Sequence, residues 1–240
     1  MGKKKGSLGP SSGKRSRLLG EDPTPGEVWR FAELWHKEVE VSVLSGSSVL
    51  KCYLWKMGKA TCWCPNDIDL FTVDRRGEDY YDEDWVESFL HRNQFTCDEV
   101  DSQSREHWMT RPDVVDRVKT RRVMNVCLAE PDGTAFKLQI TCIDGDVDER
   151  KPFGEIVVKG FDIDICKGFV VPDGQRVVTW MDDTMAENAL NGRFACFMGR
   201  YPSFKRMEKH IRRGFRPVSV TFAQDIVLRV ESAEVRGVAL

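Results

Sequence analysis

The chain has 240 residues, 41% hydrophobic and 31% charged, and a formal net charge of −2, the balance of a soluble globular protein with one large domain or one domain and a small appendage. No apolar run approaches the ~20 residues that a membrane-crossing helix needs, and no charged-then-apolar leader opens the chain. Membrane-embedded and secreted classes are therefore set aside, a cytoplasmic or nuclear location is expected, and the eight cysteines read as reduced, mostly buried thiols.

Residues 1–24 combine Lys3, Lys4, Lys5, Lys14, Arg15 and Arg17 with Gly, Ser and Pro, which predicts a disordered basic arm. Residues 25–240 are expected to form a single domain, with a helical and strand extension from about residue 183. Pro25-Gly26-Glu27 opens a helical pattern that puts Val28, Phe31, Leu34 and Trp35 on one face. Val39, Val41 and Val43 then alternate with Glu40 and Ser42, a strand that leads into a small-residue turn, Ser45-Gly46-Ser47-Ser48. The next helix carries Val49, Leu50, Tyr53 and Leu54 on one stripe. Pro65-Asn66-Asp67-Ile68-Asp69-Leu70-Phe71 reads as a strand, with Asp67 and Asp69 on one face and Ile68 and Leu70 on the core side.

A short helix is expected over 84–90, with Trp85, Phe89 and Leu90 apolar. Residues 93–117 are polar and carry no assignable pattern. Two strand-like runs, 122–129 and 135–143, flank Glu130-Pro131-Asp132-Gly133-Thr134, a hairpin signal. A second hairpin is expected from 155–170 and 175–180 around Pro172-Asp173-Gly174. Within it, Phe161-Asp162-Ile163-Asp164-Ile165-Cys166 repeats the alternation, so Asp162 and Asp164 would share one face. Residues 183–213 read as helical, interrupted near Gly199 and Pro202, and a last strand pair is expected at 218–222 and 226–230. Hairpins mixed with helices point to an α+β fold, a mostly antiparallel mixed sheet flanked by helices, rather than a regular βαβ alternation.

Paired carboxylates repel unless a cation lies between them. Mg²⁺ held by one or two carboxylates and a substrate's phosphates is the common solution, and a turn opening a helix is where a phosphate binds. Asp67, Asp69, Asp162 and Asp164 would supply the carboxylates that two-metal phosphoryl or nucleotidyl transfer requires. The segment from Arg193 to Arg216 has eight Lys or Arg and one acid, Glu208, a match for a polyanionic substrate. Zinc is not expected: Cys62-x-Cys64 is one short-spaced pair, with only His91, Cys97 or His107 to complete it. His36, beside Trp35 on the first helix, reads as a packed or surface histidine.

Ser45-Gly46-Ser47, Asp67-Ile68-Asp69 and a carboxylate further on resemble the polymerase-β-type nucleotidyltransferase superfamily. Leu138-Gln139-Ile140, the 161–166 segment and Arg206-Met207-Glu208-Lys209-His210-Ile211-Arg212-Arg213-Gly214-Phe215 resemble its uncharacterised branch in large DNA viruses and fungi. The resemblance covers residues ~40–217. It implies a polymerase-β-like core and Mg²⁺ or Mn²⁺ held by Asp67, Asp69 and Asp162, with Asp164 as the fallback for Asp162. It also implies catalysis by Asp67, Asp69 and Asp162, and binding of a nucleoside triphosphate such as ATP by Gly46, Ser47, Ser48, Lys209 and Arg213. The reaction implied is transfer of a nucleoside monophosphate to an acceptor hydroxyl with release of pyrophosphate. An RNA 3′ end is the favoured acceptor, with the basic arm and the 193–216 segment touching its phosphates; a protein or small molecule stays open. The alternative is a catalytically inactive module of the same fold that binds nucleic acid or a protein partner. Nothing in the residues sets an oligomeric state.

Three features depart from the superfamily pattern. Ser45 replaces the usual hydrophobic residue before Gly46. The spacer to Asp67 is long and holds Cys62-Trp63-Cys64, which implies an inserted loop. His210 replaces the Tyr that usually follows the lysine, and a His ring can also stack on a base.

Overall fold

The computed structural model describes residues 26–39, 41–65, 67–74, 81–108, 119–129, 131, 133–144, 152–174, 181–198, 203–222 and 227–229. The basic arm and the expected strand at 175–180 lie outside them. Helix α1, Gly26–Val39, buries Val28, Phe31, Ala32 and Trp35, at the helical spacing that the sequence shows. Strand β1, Ser42–Ser45, runs through Gly46 into helix α2, Ser47–Lys56, and strand β2 spans Ile68–Asp74. Helix α3, Glu83–Arg92, is capped by the Asp82 side chain, which accepts a hydrogen bond from the Trp85 N–H; such a cap satisfies one of the donors that a helix start leaves free.

Strands β3, Cys97–Trp108, β4, Lys119–Ala129, and β5, Ala135–Asp144, follow. After helix α4, Phe153–Lys159, and a 3₁₀ turn at Asp164–Cys166, the two-residue strand β6, Phe169–Val170, completes a six-stranded sheet of order β3-β4-β5-β2-β1-β6. All its neighbours pair antiparallel except β2 and β5, which are parallel with Asp69 opposite Gln139. A second sheet joins strand β7, Arg193–Met198, in parallel to β8, Arg216–Phe222, and β8 antiparallel to β9, Val227–Arg229. Helices α5, Asp183–Leu190, and α6, Ser203–Arg212, flank it. The architecture is α+β, a mixed, mostly antiparallel sheet with flanking helices.

Three apolar clusters hold these layers. On one face of the large sheet, Leu70, Met124, Leu138 and Ile140 meet Phe31, Trp35 and Phe89. The rings pack edge to face, Phe31 on Phe89 at 5.1 Å and Trp35 on Trp85 at 5.1 Å. Each fully buried side chain of this size contributes about 1.5–3 kcal/mol, and such ring pairs somewhat more. On the opposite face, Val43, Phe71, Ile143 and Phe169 meet Ile156, Val157 and Val158 of α4. The third cluster, Leu50, Leu54, Ile165, Phe194 and Phe215 among others, joins α2 to the second sheet.

Three elements differ from the sequence reading. Residues 155–159 form helix, not strand: Ile156-Val157-Val158 has the branched residues of a strand, but all three side chains are buried against the sheet, and packing overrides propensity. The 193–198 segment, expected to be helical, is a strand. Gly192, at φ +63°, closes α5 in the left-handed region, after which Phe194 and Cys196 alternate inward. The polar 97–108 segment is a strand at the sheet edge, paired only to β4.

Candidate active site

Backbone geometry at Gly46 sets the site. Its φ of +81° and ψ of −153° suit glycine alone. A Cβ there would lie 2.4 Å from Asp69 Oδ2, so the carboxylate occupies the space a side chain would need. Ser45 and Asp69 face each other across the β1–β2 pair. The Ser45 hydroxyl donates to the Gly168 carbonyl at 2.7 Å, and the Ser48 hydroxyl to the Ser45 carbonyl at 3.1 Å. These bonds fix the turn that opens α2. Ser47 is buried in that first turn, where backbone N–H groups lack intrahelical acceptors and the helix end is positive.

The 57–65 loop, expected as an insertion, is tied down by two cations. Lys51 Nζ donates to the Trp63 carbonyl at 2.8 Å, and Arg213 donates to the Cys64 carbonyl at 3.4 Å while its guanidinium lies 4.2 Å from the Trp63 ring centre. Asp67 therefore leaves this loop from an anchored position, within electrostatic range of Arg213. Burial and the neighbouring Asp67 push the Asp69 carboxyl up to about 7, against the opposing pull of Lys209 and Arg206. Lys209, far away in sequence, thus lies within electrostatic range of Asp69.

Asp162 and Asp164 do not share a face. Asp164 begins the 3₁₀ turn, and its oxygens accept from the N–H groups of Ile165 at 2.7 Å and Ala195 at 2.8 Å and from the Asn188 side chain at 2.8 Å. It ties α5 and β7 to the turn. Asp162 instead takes, among the described residues, one bond, from Arg206 Nη1 to Oδ1 at 3.0 Å, and its Oδ2 is buried with no hydrogen-bond partner among them. Arg206 acts on both Asp162 and Asp69 and has no separate role in the sequence reading; its i, i+3 spacing from Lys209 is the signal that could have found it. Among the described residues no three His, Cys, Asp or Glu side chains have closed into a metal-holding group; Arg206 pairs with Asp162 and lies within electrostatic range of Asp69. Asp162 Oδ2, buried with no hydrogen-bond partner among the described residues, and the buried Asp69 carboxyl have the oxygen chemistry that a divalent cation takes.

His210 does not reach a base-binding face. Its ring is 3% exposed, lies 6.0 Å from Phe194 and 5.9 Å from Phe215, and has Nε2 3.5 Å from Cys166 Sγ. Burial, with Arg213 and Lys209 nearby, holds it down at about 3, so the imidazole is neutral. The cysteines are less buried than expected: Cys142, Cys166 and Cys196 are buried, but Cys62 and Cys64 are exposed. His36 is packed, its Nδ1 3.0 Å from the Ser42 hydroxyl. No helix among the described residues is long and apolar enough to cross a membrane.

No protein-family model matches the chain, and no curated protein does. Among solved structures it is similar to a CCA-adding enzyme in complex with ATP, at 14% identity and a TM-score of 0.44, over 80% of this chain and 38% of that one. It is also similar to a tRNA-processing enzyme in an apo form, at 13% identity and a TM-score of 0.40, over 80% and 43%. A tRNA-processing enzyme with CTP gives 13% and 0.41, over 78% and 42%. The chain spans less than half the length of each.

Proposed function

We propose that this protein is a metal-dependent nucleotidyltransferase that moves a nucleoside monophosphate from a nucleoside triphosphate to an acceptor hydroxyl. The observation that carries the reading is the Asp69 carboxylate seated against Gly46 at the start of α2, with Lys209 and Arg206 within electrostatic range of it. Negative charge, a row of backbone donors and basic side chains meet at one point, as a metal–triphosphate complex requires.

In this reading the first-turn N–H groups at Gly46, Ser47 and Ser48 bind phosphate oxygens, and Lys209 and Arg213 offset the remaining phosphate charge. Asp67, Asp69 and Asp162 would hold Mg²⁺ or Mn²⁺, which supplies charge neutralisation at the phosphates and a lowered pKa for a bound hydroxyl. Asp162, whose one donor among the described residues is Arg206, would take the incoming hydroxyl's hydrogen. The hydroxyl oxygen bonds to the α-phosphorus, the bond to the β-phosphate's bridging oxygen breaks, and pyrophosphate leaves. Asp164, saturated by three N–H donors, stays structural. RNA is the favoured acceptor, because the Arg193–Arg216 run and the 1–24 arm carry the cations that neutralise a phosphate backbone.

The test is incubation of the full chain with each α-labelled triphosphate, Mg²⁺ or Mn²⁺, and mixed RNA, with a parallel reaction lacking RNA. Label transferred to RNA or to the protein itself, and lost in Asp69→Asn, supports the reading. No transfer and no pyrophosphate with any triphosphate would leave the rival, a silent module of the same fold that binds nucleic acid or a protein.

A further inference from the structure

Arg206 lies one helical turn before Lys209 on α6 and is the sole hydrogen-bond donor to Asp162 among the described residues. The pair is unequal: the Asp162 side chain is 13% exposed and that of Arg206 55%. A guanidinium has a fork of donors that suits both oxygens of a carboxylate at once. Here it meets only Oδ1, and Oδ2 is buried with no hydrogen-bond partner among the described residues. A buried acceptor left unpaired is costly, so half of this carboxylate is arranged for something else. The same guanidinium also lies within electrostatic range of Asp69. Its charge is thus in contact with Asp162 and felt by Asp69.

We propose, resting on the nucleotidyltransferase reading above, that Arg206 is an exchangeable counter-ion of Asp162: it screens the carboxylate before the cation binds, releases it when the cation is taken up, and then pairs with the oxygens of the triphosphate. The exchange forms and breaks no covalent bond. Its exposed side makes the swing possible without opening the core, and its helix position beside Lys209 leaves the freed guanidinium on the phosphate side. Arg206 is on this account a positioning residue that orders the arrival of cation and nucleotide.

The signature is a change of opposite sign in two equilibria. Mn²⁺ binding to the full chain is measured from the paramagnetic signal of the free ion, without nucleotide. Binding of inorganic tripolyphosphate is then measured by calorimetry at saturating Mn²⁺. Arg206→Gln should bind bare Mn²⁺ more tightly, by roughly threefold to tenfold, and Mn²⁺–tripolyphosphate more weakly by a similar factor, the range of a half-exposed charge pair. Arg206→Lys should fall between it and the wild type. Arg92→Gln removes the same charge from an exposed pair with Glu38 at 2.7 Å, outside the basic run, and should match the wild type in both. Wild-type Mn²⁺ affinity in Arg206→Gln, together with weakened binding in Asp162→Asn, would overturn the exchange and leave the metal site standing. Unchanged Mn²⁺ binding in Asp162→Asn would remove Asp162 from the site and overturn both.

Discussion

Gly46 and Asp69 share one space, and substitutions at either should report on the other. In Gly46→Ala the new Cβ meets Asp69 Oδ2 at 2.4 Å and the backbone is held at a φ that disfavours it. We expect destabilisation of about 1–3 kcal/mol in denaturant unfolding and a larger drop in Mn²⁺ affinity, since the carboxylate must move to make room. Asp69 also sets a pH dependence. Its carboxyl is raised from 3.8 to about 7 in the folded chain, so the folded state holds that proton more tightly than the unfolded one. Its contribution to stability is complete below the unfolded value and is lost as pH rises through the folded one. In chelator, wild type should lose stability relative to Asp69→Asn between pH ~4 and ~7, by an amount on the order of a few kcal/mol. Thermal melts of the two proteins across that range check it; parallel curves would mean that Asp69 is ionised throughout. Mg²⁺ should reduce the wild-type loss, because a nearby cation favours the ionised form.

At the level of elements, the two acids at 162 and 164 illustrate what a sequence reveals. Alternation of Asp with Ile over 161–166 suggests one strand with both carboxylates on a face. A strand would follow if the segment paired along its length, but only Ile163 bridges to another strand, at Cys196, and the chain then turns. The bonds that Asp164 accepts from Ile165, Ala195 and Asn188 hold that turn, and no pattern in the hydrophobic residues encodes it. Asp164→Ala should therefore cost stability, roughly 2–4 kcal/mol for the loss of charge-assisted bonds to three N–H donors, and leave Mn²⁺ affinity near wild type. Asp162→Ala should do the reverse. Equal effects of the two on Mn²⁺ binding would argue against separate roles. By contrast α2, β2 and the β4–β5 hairpin are legible from apolar period and turn residues, whereas β1 is shifted: Val39, expected in the strand, closes α1, and Ser42–Ser45 is buried throughout rather than alternating. The edge strand β3 is not legible: its sequence is polar, and its only support in the sheet is the ladder to β4, which no local pattern announces.

Across the whole molecule, the basic arm should be separable from the folded part. Removing residues 1–24 deletes Lys3, Lys4, Lys5, Lys14, Arg15 and Arg17. The truncated chain should keep its melting temperature and its pyrophosphate release at saturating triphosphate. Its RNA affinity should fall, with a shallower dependence on salt, by about 0.7 in log–log slope for each RNA phosphate the arm no longer neutralises. An unchanged slope would assign RNA binding elsewhere. The central parallel pair carries a further consequence, for synthesis rather than chemistry. Strand β2, which bears Asp69, has β1 on one side and β5 on the other, and β5 begins only at Ala135, far beyond the end of β2 at Asp74. A nascent chain that has just made β2 holds one side of it open until residues 135–144 leave the ribosome. Closing so long a loop is slow, and a bare ladder edge of Ile68, Leu70 and Phe71 is in the meantime a template for the wrong partner. Yield of active protein should thus depend more on the pace of translation and on chaperones between residues 74 and 144 than on the stability of the finished fold.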